Sequence, residues 1–498
     1  MGTSLFQVIG KSITYISFSF IFFSAATYAK LERPIHLPLA SDGHMAVLAG
    51  IEPILVVGGM LHGSAEPHLT LVDTNAARVV GNYKLPAAFY QGFNVANLAG
   101  QPAAEPRSQL VLLGRDGLYQ FEDGSITKLI ECNHVYARID SNNFSVLPVV
   151  FDVNEDGLSD FLIPGFLQHC LAVQQTDGSF HNQTLDFALD MQIQPQEFDS
   201  TELKFALPAD IKIFDVNGDK HSDIVIAGKT RIDTFLQKSD GSYHSKSTPL
   251  LLPLTLSEQR GTQLTASITY QFHRFEDLNL DGLPDLLLFE KQYGKTTTES
   301  SNGIRVLYAK RDKEQALGFS ATQGFIKKPG EMVTILFADF NGDKLRDATL
   351  LSGELGAGSF MSVVMGGGVD MDISIYPQQA SGLYADKPVV KRETEFKLDI
   401  HNLNYGVFIS AGNFNGDSFD DLLYVNHKNK LELVSGSSKG WLKGKSIKVA
   451  ADLPADPNLL NVLDLNQDGI LELLIRTPQP KGGHDFRVVS FLSDRESE

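Results

Sequence analysis
This sequence predicts an all-β chain built from repeated four-stranded antiparallel sheets, on three observations. A nine-residue phrase occurs six times between residues 152 and 472, with oxygen-bearing side chains at places 1, 3, 5 and 9 and an apolar residue at place 2. Each copy leads into a short apolar run: Phe161-Leu-Ile, Ile224-Val-Ile, Leu286-Leu-Leu, Ala348-Thr-Leu-Leu, Leu422-Leu-Tyr and Leu473-Leu-Ile. Two more such runs, Ile54–Gly59 and Leu110–Gly114, stand upstream without the phrase. Runs of this length flanked by Gly and Asp read as strands buried on both faces, and the flanks exclude a helix. Eight units of about 60 residues, each with one strand before the run and about two after it, make an eight-bladed β-propeller.

From the amino terminus, Met1–Ala29 carries Lys11, then the apolar stretch Ile13–Phe23, then Ser24–Ala29. This is expected to be a secretory signal peptide cleaved after Ala29 or Ala26. An uncleaved anchor is the alternative, but the run falls short of the ~20 residues a span needs. The charged end Ser493–Glu498 carries no tail-anchor or lipid-attachment signal. Localisation is therefore expected to be secreted, periplasmic or at the cell surface.

Residues 30–498 are expected to form a single propeller domain. The second unit shows its strands most clearly, as Ala88–Val95, Leu110–Leu113, Leu118–Phe121 and Ile126–Ile130. The eighth unit runs out of chain after Phe486–Leu492, so its fourth strand is expected from Ile35–Leu39, closing the ring by joining the two ends. Seven blades result if the first unit folds differently. The longest gap lies between the fourth and fifth phrases, and Gly353–Asn404 is expected to hold an inserted hairpin or excursion.

The six phrases have the spacing of a calcium loop. Calcium takes six to eight oxygens at ~2.3–2.6 Å, and alternate residues of a tight turn can supply them with one backbone carbonyl. The expected ligands of the first loop (152–160) are Asp152, Asn154, Asp156 and Asp160 with the carbonyl of Leu158. In the second (215–223) they are Asp215, Asn217, Asp219 and Asp223 with the carbonyl of His221. In the third (277–285) they are Asp277, Asn279, Asp281 and Asp285 with Leu283, and in the fourth (339–347) Asp339, Asn341, Asp343 and Asp347 with Leu345. The fifth (413–421) offers Asn413, Asn415, Asp417 and Asp421 with Phe419, and the sixth (464–472) Asp464, Asn466, Asp468 and Glu472 with Ile470.

Every copy has Gly at place 4 or place 6, where the chain turns sharply. Mild strain or a shifted turn is expected where place 6 is Lys220, Lys344 or Ser418. A single copy could be an ordinary Asx turn. Turn chemistry alone does not call for three carboxylates at each site, and the repetition favours metal. Asn413 removes one charge from the fifth loop, and Glu472 lengthens the last ligand of the sixth.

These loops and the strands after them resemble the FG-GAP (VCBS) repeats of integrin α-chain propellers and of many bacterial secreted proteins. The resemblance is strong over about 320 residues. It implies that each loop joins two strands of one blade and holds Ca²⁺ at the rim, up to six ions in all. The Phe-Gly and Gly-Ala-Pro signatures are mostly missing, with Ile226-Ala-Gly228 and Leu351-Ser-Gly353 as remnants. The leg and membrane span of integrin chains are also missing.

The formal net charge is −18, and the loops hold seventeen carboxylates, three in each of five and two in the fifth. Six dications would bring the charge to −6, ordinary for a soluble surface. Nothing is basic enough to track a phosphate backbone, so nucleic acid is not an expected partner. Cys132 and Cys170 are compatible with one disulfide or with two free thiols, and their spacing excludes a Cys-x-x-Cys motif. The sequence has no phosphate-binding Gly loop, nucleophile elbow or His-Glu-x-x-His. The His62–His68 cluster with Glu66 reads as a solvated loop, and Trp441, the only tryptophan, as a packing residue.

The expected function is a monomeric binding or scaffold module that presents one propeller face to a protein or glycan, with no span left after signal cleavage. The alternative is a calcium-dependent polysaccharide lyase or other secreted propeller enzyme. A lyase would need Arg, Lys and His gathered at the ring centre near a calcium.

Overall fold
Each apolar run is the second strand of a four-stranded antiparallel sheet, and eight such sheets form a β-propeller ring with essentially no helix among the described residues. The computed structural model describes residues 30–31, 35–37, 43–50, 53–60, 66–86, 89–100, 108–138, 144–195, 201–257, 268–293, 301–328, 331–353, 368–399, 404–442, 446–449, 452–479 and 483–491. The signal-peptide assignment at Met1–Ala29 lies outside the described residues, as does His62. Among the described residues no helix is long and apolar enough to cross a membrane.

Blade 1 consists of His44–Leu48, Ile54–Met60, Pro67–Asp73 and Arg78–Lys84, so the loopless first unit is a complete blade and the count is eight, not seven. Blade 2 follows the anticipated strands closely, with Tyr90–Ala96, Gln109–Gly114, Gly117–Glu122 and Ser125–Glu131. Blade 3 has Val150–Phe151, Asp160–Ile163, Gln168–Gln174 and Phe180–Asp186, and blade 4 has Asp210–Phe214, Asp223–Ala227, Ile232–Phe235 and Thr248–Pro249. Blade 5 is the longest, with Ile268–Glu276, Asp285–Gln292, Ser301–Arg311 and Leu317–Lys328. Blade 6 has Glu331–Ala338, Asp347–Gly353, Val369–Tyr376 and Val390–Asp399. Blade 7 has Ile409–Gly412, Asp421–Val425, Leu431–Val434 and Ser446–Val449.

Blade 8 takes Leu460–Leu463, Glu472–Pro478 and His484–Ser490 from the end of the chain. Its outer edge is completed from the other end, with Ile35 opposite Phe486 and Leu37 opposite His484 in antiparallel register. Ile35 and Leu37 are buried in a cluster with Leu55 and Val57 of blade 1 and Leu474 and Val488 of blade 8. His36 points the other way and bonds Asp485 at 2.9 Å. This alternation suits a strand with one face against the blade 8–blade 1 seam and the other in water.

Burial sets the direction of each blade. The second strand Asp223–Ala227 is buried throughout, the fourth strand Arg78–Lys84 is mostly exposed, and first strands such as Asp210–Phe214 are half-buried. First strands of neighbouring blades touch, so they surround the axis and the fourth strands form the outer wall. The apolar cores lie in the seams: Phe93 and Phe144 stack where blades 1 and 2 meet, and Leu422 packs with Leu351 and Ile373 between blades 7 and 6. A flat two-faced sheet has no core of its own, so each blade is stable only against its neighbours.

The expected excursion at Gly353–Asn404 lies partly outside the described residues, which omit 354–367 and 400–403. Its described residues are the third and fourth strands of blade 6, followed by the short strand Asn404–Gly406. An inserted hairpin that the sequence reading did not anticipate, Asp190–Pro195 against Thr201–Ala206, stands between blades 3 and 4.

Candidate metal loops on one face
All six phrases join a first strand to a second, which places them on the same face of the ring. Within each loop the side chains are tied to backbone amides in one recurring pattern. The amide at place 7 donates to the carboxylate at place 5 in every copy, from Leu158 to Asp156 at 2.8 Å through Ile470 to Asp468 at 2.8 Å. The amide at place 5 donates to the Asn at place 3, at 2.8–3.2 Å. In five loops the amide at place 6 donates to the carboxylate at place 1, at 2.8–3.0 Å.

That wrapping requires left-handed backbone at places 4 and 6. The φ values are 59° and 83° at Glu155 and Gly157, 56° and 81° at Leu280 and Gly282, and 60° and 82° at Gln467 and Gly469. Lys220 and Lys344 carry the expected strain, at φ 70° and 65°. Ser418 is not among the left-handed residues, so the fifth loop is the one whose turn shifts. There Asn415 swings inward to Asp421 and to Ser435, both at 3.3 Å, and Asn413 bonds the Asp417 carbonyl at 2.9 Å.

Place 9 behaves differently from places 1, 3 and 5. Asp160, Asp223, Asp285, Asp347 and Asp421 are fully buried, and each braces the start of its second strand. One oxygen of Asp285 accepts from the Leu278 amide at 2.9 Å and the other from the Ala309 amide of the third strand at 2.8 Å. Asp160 does the same with Val153 and Gln174, at 2.8 and 2.7 Å. On Asp347, the indole of Trp441 reaches across from blade 7 to donate at 2.7 Å, so the lone tryptophan serves a loop carboxylate as well as packing.

Among the described residues no three His, Cys, Asp or Glu side chains gather round one point. The reason is visible in the bonding: place 9 is turned to amides, and place 3 is Asn throughout. The donor chemistry nevertheless fits a hard cation, because each loop offers oxygens alone. In five loops the place-3 Asn amide leans on the place-5 carboxylate at 2.9–3.0 Å, partly neutralising it.

Burial pushes Asp160 up to about 6 and Asp285, Asp347 and Asp421 up to about 7, against the pull of the amides that bond them. Neighbouring loop carboxylates add repulsion, which a bound dication would reverse. A carboxyl raised in the folded state binds its proton there while the unfolded chain has already lost it. Metal-free protein is therefore expected to lose stability as pH rises from the ordinary 3.8 toward 7 through this group. Urea midpoints of metal-free wild type and Asp285→Asn across that range should converge as pH rises, with wild type losing ground. A gap that stays constant or widens in favour of wild type would refute the assignment.

The loops also hold one another. In the last two loops the amide at place 8 donates to the carbonyl at place 1 of the preceding blade's loop, from Asp420 to Asp339 at 3.0 Å and from Leu471 to Asn413 at 2.8 Å, whereas in the fourth loop the Arg346 amide turns to Gln378 Oε1 at 3.0 Å. Ser159 makes the same bond at 2.8 Å to Asn97, which holds place 1 in the metal-free turn of blade 2. Asp420 returns the contact by accepting the Asp339 amide at 2.8 Å. At Gly342, φ 76°, any Cβ would collide with the Phe419 ring of the next loop. Pro284 has no amide to give, which omits this bond between the third loop and the second.

Sequence reasoning missed a second repeated element. Gln174 at the end of its third strand, and Gln237 and Gln378 two residues beyond theirs, place their amides on the place-9 carboxylates, at 2.7, 2.8 and 3.0 Å. Each opens the phrase Gln-x-x-(Asp or Ser)-Gly-x-(Phe or Tyr), at 174–180, 237–243 and 378–384. Its last residue Tyr243 is fully buried and donates to Val153 O of the preceding blade's loop at 2.7 Å. The solvated-loop expectation fails at His68, which is buried in the third strand of blade 1, bonded to Asn82 and pushed below its usual range by burial, while Glu66 just before that strand pairs with Lys84.

No family model matches the sequence, and no curated protein matches it. Solved structures of similar shape include an Agrocybe aegerita lectin described by its recognition of non-reducing terminal N-acetylglucosamine. It is 13% identical over 84% of this chain and 94% of that one, at a TM-score of 0.39. The V. cholerae biofilm matrix protein Bap1 is 12% identical over 89% and 75%, at 0.27. The Dos1 propeller is 8% identical over 93% and 96%, at 0.42. Likeness this distant carries no argument about function.

Proposed function
We propose that the chain is an exported calcium-binding propeller of the FG-GAP/VCBS kind that binds a protein or glycan on the face opposite its metal loops and turns over no substrate. The observation that carries this reading is the division of labour between the two faces. One face holds the oxygen loops, tied to each other and to the blades. On the other, where first strands begin and second strands end, a cavity of about 480 Å³ opens among blades 2, 3 and 4. Tyr136, Phe151, Pro148 and Leu207 give it apolar walls, and Gln91 and Asp210 give it polar edges. Apolar walls with a few placed polar groups are the usual make-up of a ligand site.

Calcium, when bound, neutralises the loop carboxylates. The loop amides and place-9 residues keep the rim in one shape, and the blades carry that rigidity to the opposite face. The lyase alternative needs unneutralised cations at the ring centre. Lys212 and Arg274 are the Lys and Arg residues on the described first strands, and both face carboxylates: Lys212 lies 3.6 Å from Asp210, and Arg274 lies 2.8 Å from Glu276. Glu276 also holds Arg346 at 3.1 Å.

Retention on a glycan array and on candidate protein partners tests the reading, with wild type compared to Leu207→Asp. Leu207 is 38% exposed at the cavity rim, so the charge should leave the melting temperature unchanged. The expected result is retention that falls at least tenfold in the variant and in EGTA. Unsaturated products absorbing in the ultraviolet on incubation with polyuronates and calcium, abolished by Arg274→Ala, would replace the binding reading with the lyase.

A further inference from the structure
The chain has two cysteines, and the fold brings them together. Cys132 directly follows the outer strand Ser125–Glu131 of blade 2, its amide bonded to Asp116 O at 3.1 Å. From there the chain crosses to blade 3, where the Val135 amide bonds Pro164 O at 2.9 Å. Cys170 sits in the third strand of blade 3, paired with Ile163 on one side and Thr184 on the other. Cys132 is buried in the apolar cluster that joins blades 2, 3 and 4, and half-buried Cys170 packs against it. The Cys132 thiol donates to Asn133 O at 3.8 Å, and the two cysteine side chains lie close enough for each to shift the other's ionisation. Both line one cavity of about 900 Å³, together with His134, His169 and Arg115, through which a small thiol reagent can reach Cys170.

We propose that Cys132 and Cys170 are a dithiol–disulfide pair that closes across the seam between blades 2 and 3 by exchange with a low-molecular-weight disulfide such as glutathione disulfide. The roles of the two sulfurs follow from their contact. Interaction with the Cys132 side chain holds the Cys170 thiol below its usual range, and the same interaction together with burial holds Cys132 well above it, so Cys170 is deprotonated first. The Cys170 thiolate attacks one sulfur of glutathione disulfide, forming a mixed disulfide and expelling one glutathione thiolate, which takes up a proton. Cys132 gives its proton to solvent and attacks the Cys170 sulfur. The intramolecular bond forms, and the second glutathione leaves as a thiolate that is protonated in turn. One disulfide is consumed and one is made, and two electrons pass from the protein to glutathione.

The closed bond would place residues 132–170 in one covalent ring that contains the whole Asp152–Asp160 loop, fixing the seam on which that loop is mounted. Such a ring stabilises chiefly by restricting the unfolded chain. Closure of the disulfide requires neither bound calcium nor a partner.

The test uses the full purified chain, reduced and then incubated with glutathione disulfide. The expected product has lost two hydrogen atoms by intact mass, shows no titratable thiol after denaturation, and melts at a higher temperature than the same sample in dithiothreitol. Cys132→Ser should stop at a single glutathione adduct on Cys170, and the melting temperature of Cys170→Ser should not respond to reductant. A wild-type chain that keeps both thiols, or that accumulates a stable glutathione adduct without closing, would overturn the proposal. The wild-type comparison with and without reductant decides the matter even if a serine variant folds poorly.

Discussion
Excess EGTA is expected to lower the melting temperature of this protein far more than an equal rise in ionic strength does. Five loops hold three carboxylates each within nine residues, and the fifth holds two. Screening by salt weakens the repulsion among them only slightly, because the place-9 members are fully buried. A site occupied at about a hundred times its dissociation constant adds ~2.7 kcal/mol, and several such sites together should move the transition by on the order of 10 °C. The loops are bonded to one another through Asp420 and Leu471, so the loss should be cooperative across blades 6, 7 and 8. Equal melting temperatures in EGTA and in millimolar calcium would remove the metal from the account.

The second large effect is expected at place 9. Asp285→Ala removes the acceptor for the Leu278 and Ala309 amides, both of which are buried. Two stranded donors correspond to a loss of about 3–5 kcal/mol, even before any metal is considered. Asn413→Ala opens the half-exposed fifth loop, where one side-chain oxygen holds the Gly416 amide at 2.9 Å, and should cost about 0.5–1.5 kcal/mol. Urea midpoints of the two variants in calcium give the ranking. The reverse order would mean that the buried carboxylates do not brace the strands.

The loops were legible in the sequence because their chemistry dictates side-chain type at fixed spacing, and the second strands were legible because burial on both faces removes polar residues. Closure by Ile35–Leu37 followed from a strand missing at the other end of the chain. The third and fourth strands of blade 6 were hidden by length, because the long interval before Asn413 reads as an insertion although it also holds two ordinary strands. The hairpin at 190–206 gave no turn signal strong enough to set it apart. Gln174, Gln237 and Gln378 were overlooked because glutamine is usually a surface residue. Their common phrase was present, but a hydrogen bond between strands two and three joins residues that the sequence separates. The Trp441–Asp347 bond crosses from one blade to the next, and no local pattern encodes it.

If the repeated loops hold calcium, the number of ions per chain shows it directly. Protein dialysed against millimolar calcium and then analysed for metal should carry close to six, falling by one in Asp277→Ala and losing the fifth-loop ion first on dilution. A wild-type chain carrying fewer than one ion, or an unchanged count in Asp277→Ala, would contradict the account.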